Sequence, residues 1–180
     1  MEKNLTLIAL FAALIAALGL LPAMMLPGGV PITAQSLGIM LCGTVLGSRR
    51  GALAVLMFLL LVALGLPVLS GGRGGIGVFM GPSVGFLIGF PIAAFVAGLV
   101  VERLKAPILA SAGIGAVLGG MVVLYPIGVV GWALLLDKTM ADVGPFVLGF
   151  LPGDLIKSAL AALITRAIGQ MRPGVLLSRA

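Results

Sequence analysis

Two residues in an otherwise apolar stretch invite a chemical reading. "GFLPGDLIKSALAALITRAIG", Gly149 to Gly169, carries Asp154 and Lys157 three positions apart. On a helix, residues at that spacing share a face. Charge inside a hydrocarbon-length segment is costly and usually faces a partner or a wet cavity. Pro152 suits a first helical turn, which predicts a helix start there and places Asp154 where the macrodipole favours a carboxylate. The pair is either a self-satisfied ion pair or one wall of a polar cavity. As a wall it offers an acceptor and a charge-assisted donor. A further cation, Arg73, lies in "GGRGGIG". Lys157 and Arg73 are suited to a carboxylate, and Asp154 to N–H groups. The implied ligand is small, part polar, part apolar and anionic.

Other chemistries are poorly served. The chain has no histidine, five acids and one cysteine, Cys42, so histidine acid–base catalysis and an intrachain disulfide are excluded. No ligand cluster suggests a metal or a cofactor. The glycines around Arg73 lack the GxxxxGK[ST] pattern of a nucleotide loop. No catalytic residue is assigned. An intramembrane enzyme, or a self-contained transporter for another small amphiphilic acid, is the alternative. The first would need a nucleophile with an activating partner. The second finds no obvious inverted repeat in the spans.

The positioning elements are membrane helices. The 180 residues are 61% hydrophobic and 9% charged, with a mean hydropathy of +1.32, against about 25% charged in soluble domains. Six spans are expected, at 5–21, 36–46, 52–66, 82–101, 107–136 and 151–168. The second and third are short for a span, and the fifth is too long. The chain therefore reads as an all-α integral membrane protein. It is a six-helix bundle forming a single transmembrane substrate-binding domain over residues 1–180. Lys3, Arg49, Arg50, Arg103, Lys105, Arg166, Arg172 and Arg179 fall on one side of that arrangement, and Arg73 and Lys138 on the other. The bias predicts both termini in the cytoplasm, and it accounts for the net charge of +6 without nucleic acid. The apolar run at the N-terminus reads as the first span, not as a cleaved leader.

Three further stretches stand out. In the first span Ala9, Ala13 and Ala17 recur every four residues, with Ala12 and Ala16 beside them. Small residues at that spacing serve either an internal seam or a partner-docking face. "PGGVPITAQS", with Thr33 and Gln35, reads as a turn or as a loop folding over a cavity. "GLPVLSGGRGGIGVFMGPSVGFLIGF" reads as a glycine-rich wall with Phe79 and Phe86 as apolar partners, or as a linker.

Taken in order, PIT-x-Q, the G-SRRG-A turn, GLPV, GG-x-GG, GP-x-x-G-F-x-x-GF and "LPGDLIK" resemble the BioY family, the biotin-specific S components of energy-coupling-factor transporters. The likeness spans most of Gly29–Lys157 and the alanine-rich first span. It implies a six-helix bundle with an outward-side biotin pocket in the cytoplasmic membrane. Asp154 and Lys157 would contact the ligand. Arg73, Gly74, Gly75, Phe79, Ser83 and Phe86 would line the glycine-rich side, and the lid around Val30–Gln35 would bring Thr33 and Gln35. The first-helix alanines would dock a transmembrane coupling subunit driven by two cytoplasmic ATPases, with membrane lipid around the bundle and self-association left open. Where family members often carry Thr-Gly-Tyr, this chain has Ser83, Gly85 and Phe86. Biotin's ureido ring, apolar rings and chain, and carboxylate each find a matching residue class here.

Overall fold

The computed structural model describes residues 2–25 and 30–179. Six helices carry the fold: α1 (Glu2–Leu18), α2 (Gln35–Leu46), α3 (Ser48–Ala63), α4 (Val84–Arg103), α5 (Ile108–Leu136) and α6 (Met140–Met171). Between α1 and α2 two short strands, β1 (Met24–Met25) and β2 (Pro31–Ile32), pair antiparallel. Residues 26–29, which include part of the expected lid loop, lie outside the described residues.

Helices α4, α5 and α6 are long and apolar enough to cross a membrane. Helices α2 and α3 are shorter, with 12 and 16 residues, and meet at a sharp corner at Gly47. The overlong fifth segment is one helix of 29 residues. It stays continuous because a π-helical turn at Leu118–Val123 joins its two α-helical parts. The sixth departs from expectation at its start. Its α-helical part Leu151–Met171 has Pro152 in the first turn, but Met140–Val147 and a 3-10 turn at Leu148–Phe150 precede it. Asp154 therefore sits inside a long rod. It still lies in the first turn of the α-helical part, as expected, and side chains add to its stabilisation.

Helix α4 packs against α2, α3 and α5. The approach is close because small residues face one another. A Cβ at Gly43 of α2 would run into the Ala94 carbonyl, and one at Gly119 of α5 into that of Ala93. Helix α1 turns Leu7, Phe11, Ala12 and Ile15 inward. Ala9, Ala13 and Ala17 are exposed, so the alanine stripe is an outer face and not an internal seam.

Lys3, Arg49, Arg50, Arg103 and Arg179 gather at one end. Ser178 Oγ donates to the Thr44 carbonyl (2.6 Å), and the Arg179 guanidinium donates to the carbonyls of Leu104 (3.0 Å) and Ala106 (2.9 Å). The tail thereby ties the α2–α3 corner to the α4–α5 turn. Lys3 Nζ lies beside Gly174 at the same end.

Candidate functional site

At the other end α2, α5 and α6 bring four polar side chains together. Asp154, 4% exposed, accepts at Oδ1 from Lys157 Nζ (2.9 Å) and Ser36 Oγ (3.2 Å), and at Oδ2 from the Tyr125 hydroxyl (2.9 Å). Lys157 Nζ also donates to Ser36 Oγ (2.9 Å). Such satisfaction makes the burial tolerable. An uncompensated buried charge costs several kcal/mol, and removing one partner of a buried pair typically costs about 3–5 kcal/mol.

Two irregular turns aim these groups. The π turn ends one residue before Leu124 and Tyr125, and the 3-10 turn ends at Phe150, four residues before Asp154. A π turn shifts the side-chain phase of the residues after it. Tyr125, whose hydroxyl meets Asp154, is among the first of them.

The cluster forms the wall of a cavity, not part of a solid interior. The cavity's free space, open mouth included, is about 560 Å³. Asp154, Lys157 and Ser36 share its lining with Thr33, Gln35, Arg73 and Ser83 on the polar side. Leu69, Phe86, Leu87, Phe90, Leu124 and Phe150 supply the apolar side. Val30 and Pro31, just before and at the start of β2, also line it.

Each polar group has a different remaining capacity. Lys157 uses two of three N–H donors, and Asp154 accepts three bonds out of about four sites. Thr33 Oγ1 accepts from the Gln35 backbone N–H (3.2 Å). The Ser83 hydroxyl is buried and unpartnered. Arg73 donates through Nε to the Ser70 carbonyl (3.2 Å) and has no ion pair among the described residues. It is presented by a tight turn, Leu69 to Arg73, in which Gly71 (φ 78°) and Gly72 (φ 69°) occupy the left-handed region open to glycine.

Gln35 lines the cavity, yet its amide is committed to the scaffold. Nε2 donates to the carbonyls of Ile15 (3.1 Å) and Val68 (3.0 Å), and Oε1 accepts from the Ser70 N–H (3.1 Å). It joins α1, α2 and the glycine-rich loop. Gly74, Gly75 and Phe79 belong to that loop but are not in the cavity lining: a Cβ at Gly74 would meet the Leu66 carbonyl, and Phe79 packs on the core. Sequence reasoning missed Tyr125, Phe150 and the role of Ser36. The only tyrosine of the chain, set in an apolar run, was the available signal for Tyr125.

A recessed, electrically paired polar cluster among apolar walls, at one end of a membrane-type helical bundle, is the arrangement of a membrane protein with a pocket suited to a small amphiphilic solute. The comparisons narrow this. The BioY family model matches residues 2–174. A biotin transporter BioY of Rhodobacter capsulatus is 54% identical over 99% of this chain and all of its own length. One from Rhizobium etli is 51% identical over 92% of each chain. A crystal structure of the S-component for biotin from an ECF-type ABC transporter superposes with a TM-score of 0.88 at 32% identity. It covers 97% of this chain and 96% of that one. The chain belongs to the BioY family.

Proposed function

We propose that this chain is the biotin-binding S component of an energy-coupling-factor transporter and carries biotin across the cytoplasmic membrane without catalysis of its own. The observation that carries the reading is the charge balance inside one cavity. Asp154 and Lys157 neutralise each other, whereas Arg73 lines the same cavity with no acid beside it. A ligand with one carboxylate and one neutral group having both N–H and C=O fits that arrangement. Biotin's ureido group takes the last acceptor site of Asp154 and the last donor of Lys157. Its carboxylate takes Arg73, with Ser83 and Thr33 as further hydroxyls. The fused rings and chain lie against Phe86, Phe90, Leu124 and Phe150. Gln35 holds the site together, and Gly74, Gly75 and Phe79 shape the loop behind it.

The basic end faces the cytoplasm, in keeping with the bias of cations toward that side, so the cavity opens outward. Residues 1–180 act as one transmembrane domain. The exposed Ala9, Ala13 and Ala17 face admits close approach of another helix. It docks the transmembrane coupling subunit, through which cytoplasmic ATPases act.

Titration of the purified chain with biotin and with biotin methyl ester tests the charge assignment, with melting temperature as readout. Trp132 is fully buried and lies outside the cavity lining, which makes its fluorescence a poorer probe. Arg73→Gln is expected to weaken biotin roughly tenfold, the value of one charge-assisted bond, and to leave the ester unchanged. Equal losses for both ligands would place the carboxylate elsewhere.

A further inference from the structure

A second concave site lies at the basic end, between α3 and α4. It is a groove of about 520 Å³ with Leu46, Phe95 and Leu99 among its apolar lining and Arg49, Arg50 and Arg103 at its rim. Along α4, Phe95, Leu99 and Arg103 are spaced four residues apart and share a face. Along α3, Arg49 and Arg50 are succeeded by Leu53, Leu56 and Met57, all exposed, at the spacings of the same face. Each helix thus presents an apolar stripe that ends in guanidinium.

These cations are not internally balanced. Glu102, the acid of the groove, accepts from the Ser48 N–H (2.7 Å) and Ser48 Oγ (2.8 Å), and none of the three arginines forms an ion pair among the described residues. Three positive charges less one leave the rim at +2. Arg49 and Arg50 also stand in the first turn of α3, where the helix's own partial charge opposes cations and favours an anion. The bias of cations toward one side explains why arginines occur at this end. It does not explain why three converge on an apolar groove, while Arg166 and Arg172 stand exposed outside it.

We propose that this groove binds an acidic glycerophospholipid. The phosphodiester sits among Arg49, Arg50 and Arg103, where guanidinium matches phosphate in two-point geometry. An acyl chain runs over Leu99 and Phe95, about 6 and 12 Å up the helix from Arg103 at 1.5 Å per residue. A zwitterionic headgroup supplies no net charge to offset the rim.

The test uses the full chain in an uncharged detergent, with native mass spectrometry after adding dioleoyl phosphatidylglycerol or dioleoyl phosphatidylcholine. Bound phosphatidylglycerol is expected to survive on the wild type and to fall at least about tenfold in the R49Q/R50Q/R103Q variant, at roughly 1 kcal/mol per cation. The R166Q/R172Q variant, which also loses charge at this end, should retain it. Biotin affinity serves as the folding control for both, and wild-type preference for phosphatidylglycerol over phosphatidylcholine tests the idea without any variant. Equal retention of the two lipids, equal loss in the two variants, or displacement by water-soluble glycerol phosphate at equal concentration would each overturn it. So would loss of coupled uptake in R49Q/R50Q/R103Q with lipid binding intact, which would give the groove to a partner subunit.

Discussion

The two ends of the bundle handle charge in opposite ways. At the cavity end Asp154 and Lys157 are withdrawn from solvent and held by Ser36 and Tyr125. At the basic end Arg49, Arg103, Arg166 and Arg172 are exposed and form no ion pair among the described residues. Burial makes a charge expensive to leave unpaired, so the cavity end is specified residue by residue. Exposure makes a charge cheap to move or replace, so cations outside the groove, Arg166 and Arg172, count mainly by sign. The helices are irregular on the same side: the π and 3-10 turns of α5 and α6 lie beside the cavity.

The contrast breaks most decisively at Asp154. Asp154→Asn removes the charge that Lys157 and Tyr125 are arranged around. Biotin affinity should fall roughly 100-fold, about 2.7 kcal/mol, in calorimetric titration. Lys157→Ala should do the same, and unchanged affinity in both would refute the site. Gln35→Leu comes next and acts on the scaffold. It leaves the Ser70 N–H and the Ile15 and Val68 carbonyls without their amide. Stability should drop by roughly 2 kcal/mol, read as a lower melting temperature, with only a modest change in affinity once folded. Tyr125→Phe removes one of the three bonds to Asp154, and affinity should fall about fivefold, the value of one neutral donor. Arg179→Ala, at the basic end, should cost about 1 kcal/mol of stability and leave affinity within twofold. A larger affinity loss there would mean that the two ends are coupled. The outer face of α1 sharpens the comparison from a third side. Ala13→Leu should leave biotin binding intact and abolish coupled uptake in vesicles, because a bulky side chain blocks close helix approach. Normal uptake would remove the docking assignment.

Much of the cavity end was legible in the sequence because its key charges lie three apart on one helix, a spacing that fixes a shared face whatever the tertiary fold. Arg73, Thr33, Ser83 and Phe86 were found through composition and family likeness, and all four line the cavity. Tyr125 was not found. Its partner is 29 residues away, and the π turn that aims it has no simple residue signature. Gln35 was expected to bind the ligand, and it lines the cavity, but its amide is committed to three backbone groups through contacts 20 to 35 residues apart. The last α-helical part starts at Leu151 with Pro152 in its first turn, as expected, but the helical stretch Met140–Phe150 before it was not foreseen. The alanines of α1 could have faced either way, since small residues pack as well inside as against a partner.

The π turn at Leu118–Val123 has a further consequence. Along a regular helix each residue advances the thread by about 100 degrees. Were that turn tightened to ordinary spacing with no residue removed, everything beyond it, the phenol included, would swing by about 100 degrees, away from its carboxylate; dropping one codon as well would bring it back into line. The winding of one turn, outside the cavity lining, thus decides whether the phenol and the carboxylate meet.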